Sequence, residues 1–272
     1  MNTLSLKKLY LGVLMATSLS FSAYAEDVVK IGMIQPLSGP NAVFGINSER
    51  GMQLAVDMIN ENGGIKSLGG AKLELIPADI PTPNTAAQAT SRLISKEKVS
   101  GIVGHFASSA TLGASEVTER MKVPLVTFAF ADQITSRGYK YVFQVTPKGT
   151  VFGADQFNYV YDMMKDHGEP PKKIAIMYED TAYGTTQAKG LRVAAKEKGV
   201  EIVVDEAYPL GITDTTPLIN KVKSTNPDII FPVSYFNDAL LLIRGMRQQG
   251  IDVPAIGGAA GYVIDDFRKG LG

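Results

Sequence analysis

The chain has 272 residues, 45% hydrophobic and 20% charged, enough to bury a substantial core spread over about two domains. Lys+Arg and Asp+Glu both number 27, so no overall positive field draws phosphate backbones or an anionic membrane, and nucleic acid is excluded as a partner class. There is no cysteine, which excludes disulfides, thiolate metal sites, a cysteine nucleophile and a lipid anchor on cysteine.

Lys7 and Lys8 open the chain ahead of a mostly apolar run from Leu9 that closes on Ala23-Tyr24-Ala25, the small-x-small pattern of signal peptidase cleavage. Residues 1–25 are therefore expected to be a signal peptide, with Glu26 the first residue of an exported mature chain. A membrane anchor fits less well: Thr17, Ser18, Ser20 and Ser22 interrupt the run, whereas a span needs about 20 apolar residues. Beyond it, short β-branched runs alternate with helical periods. Strands are predicted over 28–34, 72–78, 99–103 and 125–128, separated by helices over 48–60, 85–96 and 109–121. Gly63-Gly64 stops the first helix, and Asn84 is placed to cap the second, whose Ala86, Ala89, Leu93 and Ile94 share one face.

The same rhythm restarts after a strand over 141–145. Helices over 150–167, 185–198, 216–224 and 238–249 alternate with strands over 174–178, 201–208, 228–233 and 254–256, with Pro170-Pro171 marking a loop. Strand–helix alternation of this kind implies parallel sheets. The chain is expected to form an α/β fold of two doubly wound parallel-sheet lobes, 26–146 and 147–272, divided near Thr146-Pro147. Ligands of open parallel sheets bind beyond the carboxyl ends of the strands, so loops 35–45, 104–109, 129–133, 179–184 and 234–237 are expected to line a cleft.

One of those loops carries the most chemistry. In "GIVGHFASSATLGASEVTE", Ser108, Ser109 and Thr111 crowd the start of a helix, whose first amides lack internal acceptors. The hydroxyls can cap those amides, or share them with a bound anion. Catalysis has no comparable constellation. There is no G-x-G-x-x-G, no G-x-x-x-x-G-K-[ST] and no G-x-S-x-G, so no nucleotide cofactor is expected. The two histidines, His105 and His167, cannot build a multi-histidine metal site. His167 is expected to face solvent at a helix end and His105 to pack or hydrogen-bond beside the cleft. The adjacent acids Glu179-Asp180 and Asp265-Asp266 read as solvated loop pairs.

The order of signal peptide, "IGMIQPLSGPNAVFG", "GMQLAVDMINENGGI", "GIVGHFASSAT", "ITSRGYKYVFQVTP" and "DTAYG" resembles the type I periplasmic binding proteins of the leucine/isoleucine/valine-binding class. The resemblance implies a Venus-flytrap fold whose lobes close on a small solute and deliver it to an ABC permease in the inner membrane. It implies a monomer when full length, and members usually continue well past the position of Gly272, so the chain is expected to be truncated, its second lobe incomplete. By the same resemblance Ser108, with Ser109 beside it, falls where the ligand carboxylate is held. An aromatic wall is implied at Phe44, Tyr183 and Tyr235, and further ligand contacts at Ala129, Phe130, Ala131 and Ala259.

Two departures bear on the ligand. "TFAFAD", 127–132, lacks the hydroxyl expected for a second carboxylate anchor, and "IGGAAGY" carries no acid at Gly258, Ala259 or Ala260 to pair an ammonium. Either Asp132, Glu179 or Asp180 substitutes, or the ligand has no ammonium; a hydrophobic amino acid and an aromatic carboxylate, suited by Phe128 and Phe130, both stand. The alternatives to transport are a ligand-binding component for a membrane receptor and an exported α/β enzyme.

Overall fold

The computed structural model describes residues 28–272; the expected signal peptide, 1–25, lies outside the described residues. Two parallel sheets follow one another along the chain. The first has five strands in the order β2-β1-β3-β4-β5: β1 (Val28–Gln35), β2 (Lys72–Asp79), β3 (Gly101–Gly104), β4 (Leu125–Thr127) and β5 (Val142–Gln144). The second has three in the order β7-β6-β8: β6 (Lys173–Glu179), β7 (Glu201–Tyr208) and β8 (Ile229–Val233).

The helices between strands are α1 (Ala42–Glu61), α2 (Ala86–Ser95), α3 (Ser108–Met121), α4 (Gln133–Ser136), α5 (Gly149–Asp166), α6 (Ala182–Glu197), α7 (Thr216–Thr225) and α8 (Phe236–Gln248). Two short helices end the chain, α9 (Ala259–Tyr262) and α10 (Asp265–Leu271). Among the described residues no helix is long and apolar enough to cross a membrane.

The second sheet is buried on both faces, and its sequence says so: all five residues of β8 are buried, as a strand covered by helices on either side requires. Ile174, Ile176 and Phe231 meet Phe157 of α5 and Leu191 of α6 on one face. Ala175, Met177 and Ile230 meet Ile219 of α7 and Leu242 of α8 on the other. In the first sheet the register row Ile102, Leu125, Val142 lies under α2 and α3, with exposures of 1%, 0% and 5%. The neighbouring row, Met33, Val103, Val126, Phe143, points the opposite way, because successive side chains alternate. It is buried at Met33 but open at Val126 (36%) and Phe143 (51%).

Four local expectations need correction. Helix α1 begins at Ala42, not at residue 48, so Phe44 lies in its first turn. Asn84 does not cap α2: it lies within a 3-10 turn, Pro83–Thr85, and Thr85 is the N-cap without a side-chain bond. The strand expected over 254–256 is a single parallel bridge, Ala255 to Ile230. Glu179 is fully buried rather than solvated. The glycine stop after α1 stands, with Gly63 and Gly64 at φ 90° and 70°.

The open row on the first sheet ends at an edge strand, β5, with Val145 beyond it 69% exposed. A half-covered apolar sheet face with an unpaired edge favours self-association. Sedimentation velocity is expected to show association that grows with concentration, and Phe143→Ser to reduce it; a chain that stays monomeric at every concentration contradicts this.

Candidate functional site

Because every strand in both sheets is parallel, their carboxyl ends deliver the next loop to the same gap. Residues after seven of the eight strands line two cavities there: Pro36, Ile80, His105, Phe128, Thr181, Leu210 and Tyr235. One cavity, of about 220 Å³, is lined mainly by apolar groups including Pro36, Pro81, Leu210 and Ile212, with Ser109, Thr181 and Asn237 among its polar ones. The other, of about 360 Å³, is walled by six aromatic rings, Phe44, Phe106, Phe128, Phe130, Tyr183 and Tyr235, with Ala260, Val263 and Ile264 closing one side.

The rings form a continuous path across the gap. Phe44 stacks on Phe106 at 5.1 Å between centroids, Phe106 meets Tyr235 edge-on at 5.8 Å, Tyr235 stacks on Tyr183 at 4.9 Å, and Tyr183 meets Phe130 edge-on at 6.2 Å. Pairs in these geometries add about 0.5–1.5 kcal/mol each beyond area burial. Tyr235 lines both cavities, and Phe106, in edge contact with it, lines the aromatic one. The Tyr183 hydroxyl accepts the Ala260 amide at 3.2 Å, tying α6 to α9.

The residues singled out in the sequence are thus distributed. Phe44, Phe130, Tyr183 and Tyr235 share the aromatic cavity, and Ser109 lines the other. Ser108 lines neither: fully buried, its Oγ accepts the Ala131 amide at 3.1 Å. Ala129 is held by Thr127 Oγ1 on its amide and by Gln144 and Thr146 on its carbonyl. Ala259 opens α9 one residue before Ala260. The capping expectation for α3 is corrected: its N-cap is Ala107, with no side-chain cap. Thr111 Oγ1 instead lies 2.9 Å from the His105 carbonyl and 3.1 Å from that of Ala107. The first backbone bond of the helix runs from Thr111 to Ala107, so the amides of Ser108, Ser109 and Ala110 precede it. The loops at 80–83 and 210–212 and the ring of Phe106 were missed, although the rule that named the other loops applies equally to the ends of β2 and β7.

The sequence pattern of the periplasmic binding protein family matches residues 28–268. The chain belongs to that family. It is similar to Leu/Ile/Val-binding protein homolog 7 of Brucella suis, 34% identical over 276 residues, which cover 98% of this chain and 67% of the relative. Among solved structures it is similar to the branched-chain amino acid transporter substrate-binding protein LivJ of Streptococcus pneumoniae, determined with isoleucine: TM-score 0.80, 31% identity, 90% of this chain and 68% of that one. The leucine-binding protein LivK of Thermotoga maritima also superposes with TM-score 0.80, at 26% identity over 90% of this chain and 67% of that one. This periplasmic binding protein therefore spans about two thirds of the length of the relatives it matches. The relatives are binding proteins, not enzymes, and the two-lobed parallel α/β fold is theirs.

Acids in the gap of this periplasmic binding protein hold backbone. Asp79 accepts the Leu37 and Ser38 amides. Asp132 takes the Thr150 amide at 3.1 Å on one oxygen and the Thr150 hydroxyl at 2.5 Å on the other. Glu179 takes Thr181 N at 2.7 Å and Gly184 N at 2.5 Å, charge that suits the start of α6. Asp180 accepts the Leu210 amide, and Asp238 the Tyr208 hydroxyl at 2.7 Å and the Tyr235 amide at 3.2 Å. Burial pushes the carboxyls of Glu179 and Asp238 above the usual range. Burial likewise lifts the Tyr183 phenol to about 12.

His105 is 3% exposed, with Nδ1 accepting the Ala107 amide at 2.9 Å and Nε2 3.3 Å from the Ile80 carbonyl. It packs, as expected, and burial lowers its pKa from 6.5 to about 4. The unfolded chain takes up a proton below pH 6.5 that the folded ring refuses until about pH 4, so stability falls as pH drops through that window. The loss is about 3 kcal/mol over the whole of it. Urea midpoints followed from pH 7 to 4.5 should fall more steeply for the native chain than for His105→Gln; equal slopes contradict the assignment.

Proposed function

We propose that this chain is the solute-capturing component of an ABC importer, exported to the periplasm by residues 1–25, whose lobes 26–146 and 147–272 close on a small hydrophobic amino acid or apolar carboxylate and present it to a membrane permease. The observation that carries this is the aromatic cavity, walled by Phe44, Phe106, Phe128 and Phe130 from one side of the gap and by Tyr183 and Tyr235 from the other. Rings contributed by both sheets give a solute contacts that increase as the gap narrows, which is the differential affinity that favours a closed state.

The carboxylate seat belongs at the start of α3. Its first turn has no acidic residue and no side-chain cap, and partial positive charge gathers at such an end. Ser109, the hydroxyl of this turn that lines a cavity, is the donor we assign to the carboxylate, while buried Ser108 Oγ accepts the Ala131 amide and holds loop 129–131 against the helix start. The streptococcal relative solved with isoleucine supports the amino-acid arm of the proposal.

A thermal-shift screen of amino acids and carboxylates tests the function: a ligand at about 100 times its Kd stabilises by about 2.7 kcal/mol. Phe44→Ala, at a half-buried position in the cavity wall, is expected to weaken calorimetric binding about tenfold or more while the chain stays folded. Ser108→Ala is expected to weaken it similarly and also to cost about 1–3 kcal/mol of stability by leaving the Ala131 amide unpaired. Folded variants with native affinity would sink the proposed site.

A further inference from the structure

Parallel strands that deliver their loops to one rim leave their amino ends at the opposite pole. In the first sheet that pole is basic. Lys96 and Lys98 precede β3, Arg120 and Lys122 precede β4, and Lys140 precedes β5. All five side chains are exposed, and none makes a hydrogen bond or an ion pair among the described residues. Because β3 pairs with β4 and β4 with β5, the three turns stand side by side, about 5 Å from one strand to the next. The acids among them are Glu97 and Glu119, and Glu119 turns its carboxylate to the Lys140 and Tyr141 amides at 2.9 and 2.8 Å. The chain is neutral overall, so the charge here is unevenly placed rather than in excess.

Two of these lysines sit where the backbone disfavours them. Lys98 and Lys122 have φ of 58° and 56°, the left-handed region in which a Cβ crowds the following carbonyl. The equivalent turns of the second lobe use residues that suit it: Gly199 before β7, Asn226 before β8 and Gly250 before the bridge at Ala255. Three cations at that pole are also committed. Lys172 Nζ lies 2.7 Å from Glu169, Lys198 stands over the Tyr161 ring, and Lys223 Nζ bonds the Gln249 carbonyl. A helix end does not need a left-handed lysine, and the first lobe carries two, side by side and unpaired.

None of the five cations lines a cavity described above, so they give a small anion no enclosed seat. Cations spread along a row suit an extended anionic surface instead. Apolar side chains stand at the same pole: Val28, in register with Lys72, is 50% exposed, and Leu68, in the turn before β2, is 55% exposed. Lys66 lies in that turn, and Glu61 ends the helix before it. Basic and apolar side chains together match a lipid interface better than a purely polar polyanion.

We propose that this pole docks on an anionic phospholipid surface, leaving the rim at the carboxyl ends of the strands open to water. The proposal is independent of the solute reading, since no residue of the gap takes part in it.

Co-sedimentation of the whole chain with vesicles tests it. Vesicles of phosphatidylcholine and phosphatidylglycerol in about equal parts are expected to hold the chain roughly tenfold better than phosphatidylcholine alone, and about 0.5 M salt to abolish the difference by screening exposed charge. Lys98→Asn combined with Lys122→Asn is expected to lower the partition about tenfold or more, with a thermal midpoint unchanged or raised, because asparagine is the residue already used at Asn226. Lys140→Gln, at an exposed side chain without a partner, is expected to lower it about fivefold. Lys172→Asn, at the second lobe's pole, is expected to change it less than about twofold. Equal partition onto both vesicles, which contact through the open row at Val126 and Phe143 would give, overturns the proposal. So does native binding by the folded double variant or by Lys140→Gln, or an equal loss in Lys172→Asn. Retention on immobilised polyphosphate without binding to vesicles overturns the assignment to lipid.

Discussion

The shared direction of eight strands is the constraint on which the rest depends. Parallel pairing needs a crossover after every strand, so each strand's carboxyl end leads into a loop on the same rim and each loop into a helix that returns over the sheet. Two such sheets in one chain bring their rims to a common gap, and the gap is filled by the rings of Phe44, Phe106, Phe130, Tyr183 and Tyr235. These rings belong at once to the core and to the site. Tyr183 and Tyr235 pack with Ile176 and Phe231 in the second sheet's core, yet they also wall the cavity. Site and packing cannot be varied independently there.

The polar groups of the gap follow the same logic. A loop at a strand end exposes amides that need acceptors if the gap is to be dry. Asp79, Asp132, Glu179, Asp180 and Asp238 supply them. Burying Glu179 and Asp238 without a cation raises their pKa, a cost offset by the backbone donors they hold at the starts of α6 and α8. The start of α3 differs, with hydroxyls rather than an acid in its first turn, which is why the carboxylate seat is proposed there.

Much of this is legible in the sequence, for physical reasons. Strand–helix alternation is a periodicity signal, and it located all eight strands because each is a short apolar run bounded by loop residues. The helix ends were harder. Asn84 and the Ser108-Ser109 pair have the chemistry of caps, but Pro83 draws Asn84 into a 3-10 turn, and Ala131 occupies Ser108. The start of α1 was set too late because "NAVF" lies before a polar stretch, and helical phase is weak over one turn. The resemblance names Phe44, Tyr183 and Tyr235 as an aromatic wall, and Phe128 and Phe130 are read as rings that suit an aromatic ligand; all five line one cavity, whereas Phe106 sits inside a motif whose visible chemistry is its serines. The burial of Glu179 was invisible, since an acid beside Asp180 looks solvated until the fold places α6 above it.

The central claim is that a solute is held between the two sheets and touches both. Hydrogen–deuterium exchange on the chain with and without a carboxylate ligand that stabilises it tests this most directly. The account predicts slowed exchange on both sides of the gap at once, at the start of α3 (106–110) and at the start of α6 with α9 (181–186 and 259–262), and no change in α2 or α7. Protection confined to one side of the gap would contradict it.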